Sequence, residues 1–259
     1  MRFYNIALKD IKFVMKSPYI IAPLLAVHFL QFIISINVYE NFIGQTSGNN
    51  AYAVIEIINH GSNTNTVTFY ASYILTQLMT LTSIIIATLM TAEWENKTYQ
   101  RMLVSPANSF QINLGIYSGY MAVMIIISAM FMLLTSLTYG FDWGRAYFNI
   151  FVITLSLAFV CVAFSMLISN AFKETKLVAG ISTFTVVAMN FLSGGIFAGA
   201  VFSKISRYTL SRWAFEAYIK MVEGRPLGSV LPNIFYIIIT GLFFIFASAL
   251  IARKGDSYE

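Results

Sequence analysis

The chain has 259 residues, 58% of them hydrophobic and only 10% charged, with a formal net charge of +5. A soluble domain carries about a quarter charged residues, and a fold of this size leaves too much surface exposed to hide so many apolar side chains. Soluble folds are therefore excluded. So is a membrane β-barrel, whose strands would alternate apolar and polar residues instead of running continuously apolar.

Taken in chain order, residues 1–17 are amphipathic. Phe3, Ile6, Ala7, Ile11, Val14 and Met15 recur at helical spacing, and Arg2, Asn5, Lys9, Lys12 and Lys16 make the opposite stripe. This pattern predicts an uncleaved helix lying in the headgroup layer with its lysines toward anionic lipid, turning into the bilayer at Pro18. Residues 19–38 form a first span of bilayer length. It carries His28 and Gln31 on one face, either as interhelical hydrogen-bonding groups or as a polar lining.

Residues 39–68 read as a loop of small and amide residues without Lys or Arg, in which 52–58 are suited to a brief interfacial helix. A second span follows at 69–92, rich in Thr, Ser and Met and including Gln77. A short charged island then interrupts the apolar sequence at 93–106. The third span covers 110–139 and contains Gly115 and Gly119, a Gly-xxx-Gly face suited to close helix packing. Residues 140–145 make a tight turn, the fourth span covers 146–168, and 169–176 form a charged turn. The fifth span, 177–197, contains Asn190. Within 198–230, Arg212, Glu216, Lys220 and Glu223 recur at helical steps among aromatic residues, and Gly224 and Pro226 follow. That is a short amphipathic helix with a helix stop. The sixth span covers 231–252, and a polar tail ends the chain. The whole reads as a single transmembrane domain.

Six spans put both termini on one side. That side carries Arg2, Lys9, Lys12, Lys16, Lys97, Arg101, Lys173, Lys176, Arg253 and Lys254, so the positive-inside bias makes it cytoplasmic. The last outer loop departs from the bias with Lys204, Arg207, Arg212, Lys220 and Arg225. No span has Asp, Glu, Lys or Arg at its centre, which argues against an ion-coupled pump. Two histidines and one cysteine, Cys161, make neither a disulfide nor a plausible metal site. Gly-x-Ser-x-Gly is missing, and without a Gly-Lys dipeptide there is no P-loop. No catalytic role is expected, and any active transport would draw its energy from a separate subunit docking on the island at 93–106.

Two patterns add to this reading. One is Glu93-x-Glu95, Thr98 and Arg101-Met102-Leu103-x-Ser105-Pro106; the other is Arg212-Trp213-Ala214-Phe215-Glu216-Ala217-Tyr218 followed by Gly224. With the six-span plan they resemble ABC-2 type permeases, the membrane subunits of a class of ABC exporters, over essentially the full chain. Lys97 departs from the family pattern, which often has Gly there. The resemblance implies an all-α fold of six transmembrane helices, with an N-terminal interfacial helix, a cytoplasmic coupling helix and an outer re-entrant amphipathic segment containing Arg212, Trp213, Glu216 and Lys220. It implies an ABC ATPase partner that carries ATP and magnesium, a second permease chain, a plasma-membrane location and no nucleic-acid partner. Glu93, Glu95, Thr98, Arg101, Met102 and Leu103 would contact the ATPase, while this chain would hold no cofactor. His28, Gln31, Gln77 and Asn190 are the candidate lining of a substrate path, and the Ser/Thr-, Met- and Phe-rich spans suit an amphipathic or hydrophobic cargo: a peptide toxin, an antibiotic or a lipid-like molecule. The alternatives are a secondary transporter or channel using those polar residues, and a membrane scaffold that transports nothing.

Overall fold

The computed structural model describes residues 3–45, 66–104, 108–143, 147–193 and 203–255. The described residues are almost wholly helical. In chain order the helices are α1 (Phe3–Met15), α2 (Pro18–Gln45), α3 (Thr66–Glu95), α4 (Thr98–Leu103), α5 (Ser109–Tyr139), α6 (Tyr147–Phe172), α7 (Thr175–Leu192), α8 (Ser203–Ser206), α9 (Leu210–Val222) and α10 (Leu231–Gly255). A turn of 3₁₀ helix, Leu227–Ser229, precedes α10. Among the described residues six helices are long and apolar enough to cross a membrane: α2, α3, α5, α6, α7 and α10.

Helix α2 begins at Pro18, as the sequence predicts, but continues to Gln45 across residues read as loop. Helix α6 likewise runs through Ser169 to Phe172, which shortens the expected charged turn to Lys173 and Glu174. The cause is the same in both places. Hydropathy marks where a helix leaves hydrocarbon, whereas its backbone hydrogen bonds run on until a breaker intervenes. The expected interfacial helix at 52–58 and the end of the fifth span at 194–197 lie outside the described residues.

Helices α3 and α6 form the centre. In their apolar stretches 67% and 61% of residues are buried, against 22–33% in the other four spans. Helix α2 and α7 pack on α3, α10 packs on α6, and α5 touches both central helices. Hydroxyl residues suit this centre because they are small and turn their donors back on their own helix. Thr76 and Thr82 donate to the carbonyls of Ser72 and Leu78. Other hydroxyls cross the α3–α6 contact: Thr91 donates to Ser169 Oγ at 3.0 Å, and Ser165 to the Ser83 carbonyl at 2.7 Å.

At the end away from α4, α9 closes the bundle against α3, α6, α7 and α10. Tyr218 lies fully buried beneath it, its hydroxyl 2.9 Å from Thr154 Oγ1 of α6. Gly224 ends the segment with φ of 76°, the left-handed stop expected of a glycine in that place. Helix α1 lies along α5, and a glycine permits it. A Cβ on Gly119 would stand 3.0 Å from the Ala7 backbone, so this glycine of the Gly-xxx-Gly pair serves packing within one chain.

Candidate functional site

The charged island is not one piece. Glu93, Trp94 and Glu95 complete the last turn of α3, Asn96 and Lys97 form a turn, and Thr98–Leu103 make the separate short helix α4. The break falls at Lys97, whose backbone is left-handed with φ of 58°. A residue with a Cβ is strained there and glycine is not. Lys97→Gly, at this exposed position, is therefore expected to raise stability by about 0.5 kcal/mol once glycine's extra chain entropy is counted. Thermal unfolding in detergent checks this, and a lowered midpoint would contradict it.

One face of the island is fastened to the rest of the molecule. Lys9 of α1 donates to Glu93 at 2.5 Å and stands 3.1 Å from Asp10. The Glu95 carboxylate accepts from both the amide and the hydroxyl of Thr175, at 2.7 and 2.6 Å, so the end of α3 caps the start of α7. The Thr175 hydroxyl, then its amide, hold the Glu95 carboxyl below its usual range. Trp94 stacks on Tyr99 with ring centres 4.1 Å apart, Tyr99 donates to Asn113 at 3.0 Å, and the Lys173 ammonium sits 5.2 Å from the Trp94 ring. Thr98 and Met102 are half-buried, and Met102 packs on the core. Lys97, Gln100, Arg101 and Val104 face outward, Val104 at 88% exposure. The Leu103 side chain, Ser105 and Pro106 lie outside the described residues.

Asp10 is the residue that sequence patterning missed. It is 1% exposed and sits on the buried stripe between Ile6 and Val14. Apart from the nearby Lys9 ammonium, neither carboxylate oxygen has a hydrogen-bond partner among the described residues. Burial pushes its carboxyl up to about 7, the Glu93 charge pushes the same way, and Lys9 opposes both. Burial alone would lower the Lys9 ammonium. The hydrogen bond to Glu93, with the charges of Asp10 and Glu93, outweighs burial and holds Lys9 above its usual range. Lys9 thus faces these acids rather than lipid, while Lys12 and Lys16 remain exposed.

The expected path residues separate into local pairs. Gln31 donates to Gln77 at 2.9 Å and ties α2 to α3. Asn190 donates to Thr80 at 2.9 Å and accepts from Ser211 at 2.7 Å, tying α7 to α3 and α9. The buried His28 ring pairs through Nδ1 with the Leu24 carbonyl at 2.7 Å, and its Nε2 has no partner among the described residues. On α9, Arg212 pairs with Glu216 at 2.6 Å, Trp213 donates to the Arg207 carbonyl at 2.7 Å, and Lys220 reaches Asn233 at 3.2 Å. Arg225 pairs with Glu223 at 3.1 Å. Most of the basic charges that break the positive-inside pattern are thus engaged locally.

An apolar cleft of about 520 Å³ lies between α7 and α10. Thr80 and Ser83 of α3 and Cys161 and Phe164 of α6 line it, and Leu210 and Trp213 of α9 reach its far end.

A family model described as ABC-2 family transporter protein matches residues 12–250. Comparison with curated proteins finds no match.

Proposed function

The chain belongs to the ABC-2 family of transporter proteins, and from that premise we propose that it is the permease subunit of an ATP-driven exporter whose energy reaches it through α4. The membership makes it a multi-pass transport subunit that associates with an ABC ATPase. The exporter reading goes further. In it a separate ATPase subunit carries ATP and magnesium, and its closure pushes on the exposed face of α4. The cargo is amphipathic or hydrophobic, in keeping with spans that have no Asp, Glu, Lys or Arg at their centres. Two permease chains share the work at the plasma membrane, and the basic α4 end with both termini faces the cytoplasm.

The observation that carries this reading is the asymmetry of the island. Glu93 and Glu95 fasten it to α1 and α7, while Lys97, Gln100 and Arg101 stay open to solvent. A short helix fixed on one side and bare on the other can pass a push into the bundle. The fastening contacts lead to α1 and α7, two of the elements that would have to move. Docking then belongs to Arg101 and its exposed neighbours together with Thr98, Met102 and Leu103, and the two glutamates transmit the push.

Arg101→Glu is expected to weaken co-purification with the ATPase subunit about tenfold, as reversal of one interfacial charge does, without changing the monodispersity of the permease. Full co-purification and full export by that variant would overturn the reading.

A further inference from the structure

We propose that the cleft between α7 and α10 is a binding site for one membrane phospholipid with an anionic headgroup, its acyl chain lying in the cleft and its phosphate held by Arg207. The site is separate from α4 and does not rest on energy coupling or on export.

The cleft suits hydrocarbon because its polar residues are spent. Thr80 donates to the Thr76 carbonyl, Ser83 to Thr80, Thr185 to Ile181 and Thr240 to Tyr236, all within their own helices. With the donors turned inward, the wall offers mainly methyl groups and rings. A polar solute would lose its water there and gain little in return. About 520 Å³ lies within the range of cavities that enclose a ligand. Phe184, at the rim, is 78% exposed, so the cleft reaches the face that a bilayer covers. The molecule that meets such a face by default is a lipid.

The charge at the α9 end selects the headgroup. Tyr208 and Trp213 both line the cleft, and Trp213 donates to the Arg207 carbonyl. That places the Arg207 backbone at the cleft's edge. Arg212 and Arg225 are paired with Glu216 and Glu223, whereas the exposed Arg207 has no ion-pair partner among the described residues. An exposed guanidinium carried on the segment that edges an apolar slot is within reach of a phosphate joined to an acyl chain.

The test uses the full chain reconstituted in nanodiscs of equimolar phosphatidylglycerol and phosphatidylcholine, then exchanged into detergent for native mass spectrometry. Wild type is expected to keep one phosphatidylglycerol per chain. Ala188→Trp and Thr240→Phe, which fill the cleft, are expected to keep none while staying monodisperse. Arg207→Gln is expected to weaken retention of phosphatidylglycerol over phosphatidylcholine about tenfold. If the filled variants misfold, Ala188→Cys replaces them in a Cys161→Ala background, since the native Cys161 also lines the cleft. Its maleimide labelling should slow when phosphatidylglycerol vesicles are added back to delipidated protein. Equal lipid retention by wild type and filled variants, or labelling that lipid leaves unchanged, overturns the site. Equal loss of both lipids in Arg207→Gln overturns the headgroup assignment. Cross-linking of Ala188→Cys chains to each other, with no lipid retained by wild type, gives the cleft to a second copy and also overturns it.

Discussion

Gly119→Val is expected to lift α1 from α5 and to be among the most destabilising single substitutions in the chain. The contact it breaks is backbone to backbone. A Cβ at Gly119 would lie 3.0 Å from both the Cα and the carbonyl oxygen of Ala7, and 3.2 Å from the Asp10 Cβ. None of these is the loose end of a side chain, so the helices must separate. Overpacking of this kind costs about 1–3 kcal/mol and sometimes more. Separation also withdraws Lys9 from Glu93, which adds the loss of a partly buried ion pair. The sum expected is about 3–4 kcal/mol, read as a large fall in thermal midpoint in detergent and as faster hydrogen exchange in α1. Gly180→Ala is the control. Gly180 lies within α7 with open space where a Cβ would go, so alanine there should be neutral or stabilising by up to about 1 kcal/mol. If Gly119→Val matched Gly180→Ala, α1 would not be seated on α5.

The two glycines show what a sequence makes legible. The spans could be read because apolar runs of bilayer length announce themselves, and α9 because a polar stripe at helical spacing ends in Gly224. Gly119 was visible as a packing residue but not its partner, since a Gly-xxx-Gly face fits a helix of the same chain as well as one of another. Hydropathy places helix ends short because it follows hydrocarbon thickness and not backbone hydrogen bonding. The break at Lys97 left no trace, for a lysine carries no signal of a left-handed backbone. The Glu95–Thr175 cap spans 80 positions, and only the fold brings its ends together. Asp10 is different. A carboxylate in register with Ile6 and Val14 is readable from spacing, but a division of α1 into one apolar and one basic stripe passes over it.

That carboxylate gives the chain an expected dependence on pH. Folded, Asp10 titrates at about 7 against an ordinary 3.8. Below pH 4 both folded and unfolded chains hold the proton and nothing changes. Between pH 4 and 7 the unfolded chain has released it while the folded chain has not. The folded state then binds more protons, and stability falls as pH rises. Above pH 7 both are ionised and the slope ends. Across this window the loss from Asp10 is on the order of a few kcal/mol. Asp10→Asn should abolish it, leaving the variant more stable than wild type at pH 8 and little changed at pH 4. Lys9→Met should do the reverse. It removes the cation that offsets Asp10 and Glu93, so Asp10 keeps its proton to higher pH and the falling limb extends beyond 7. Because Lys9 is 40% exposed, the cost of its loss at pH 8 is about 2 kcal/mol rather than the full value for a buried pair. Thermal midpoints from pH 4 to 9 for the three proteins separate these outcomes, and the infrared carboxylic acid band should disappear in Asp10→Asn at pH 6. A wild-type slope unchanged by Asp10→Asn would assign the pH dependence to other groups. The test bears on mechanism as well as stability, because Lys9 ties α1 to Glu93 in the last turn of α3, just before the break at Lys97 that separates α3 from α4.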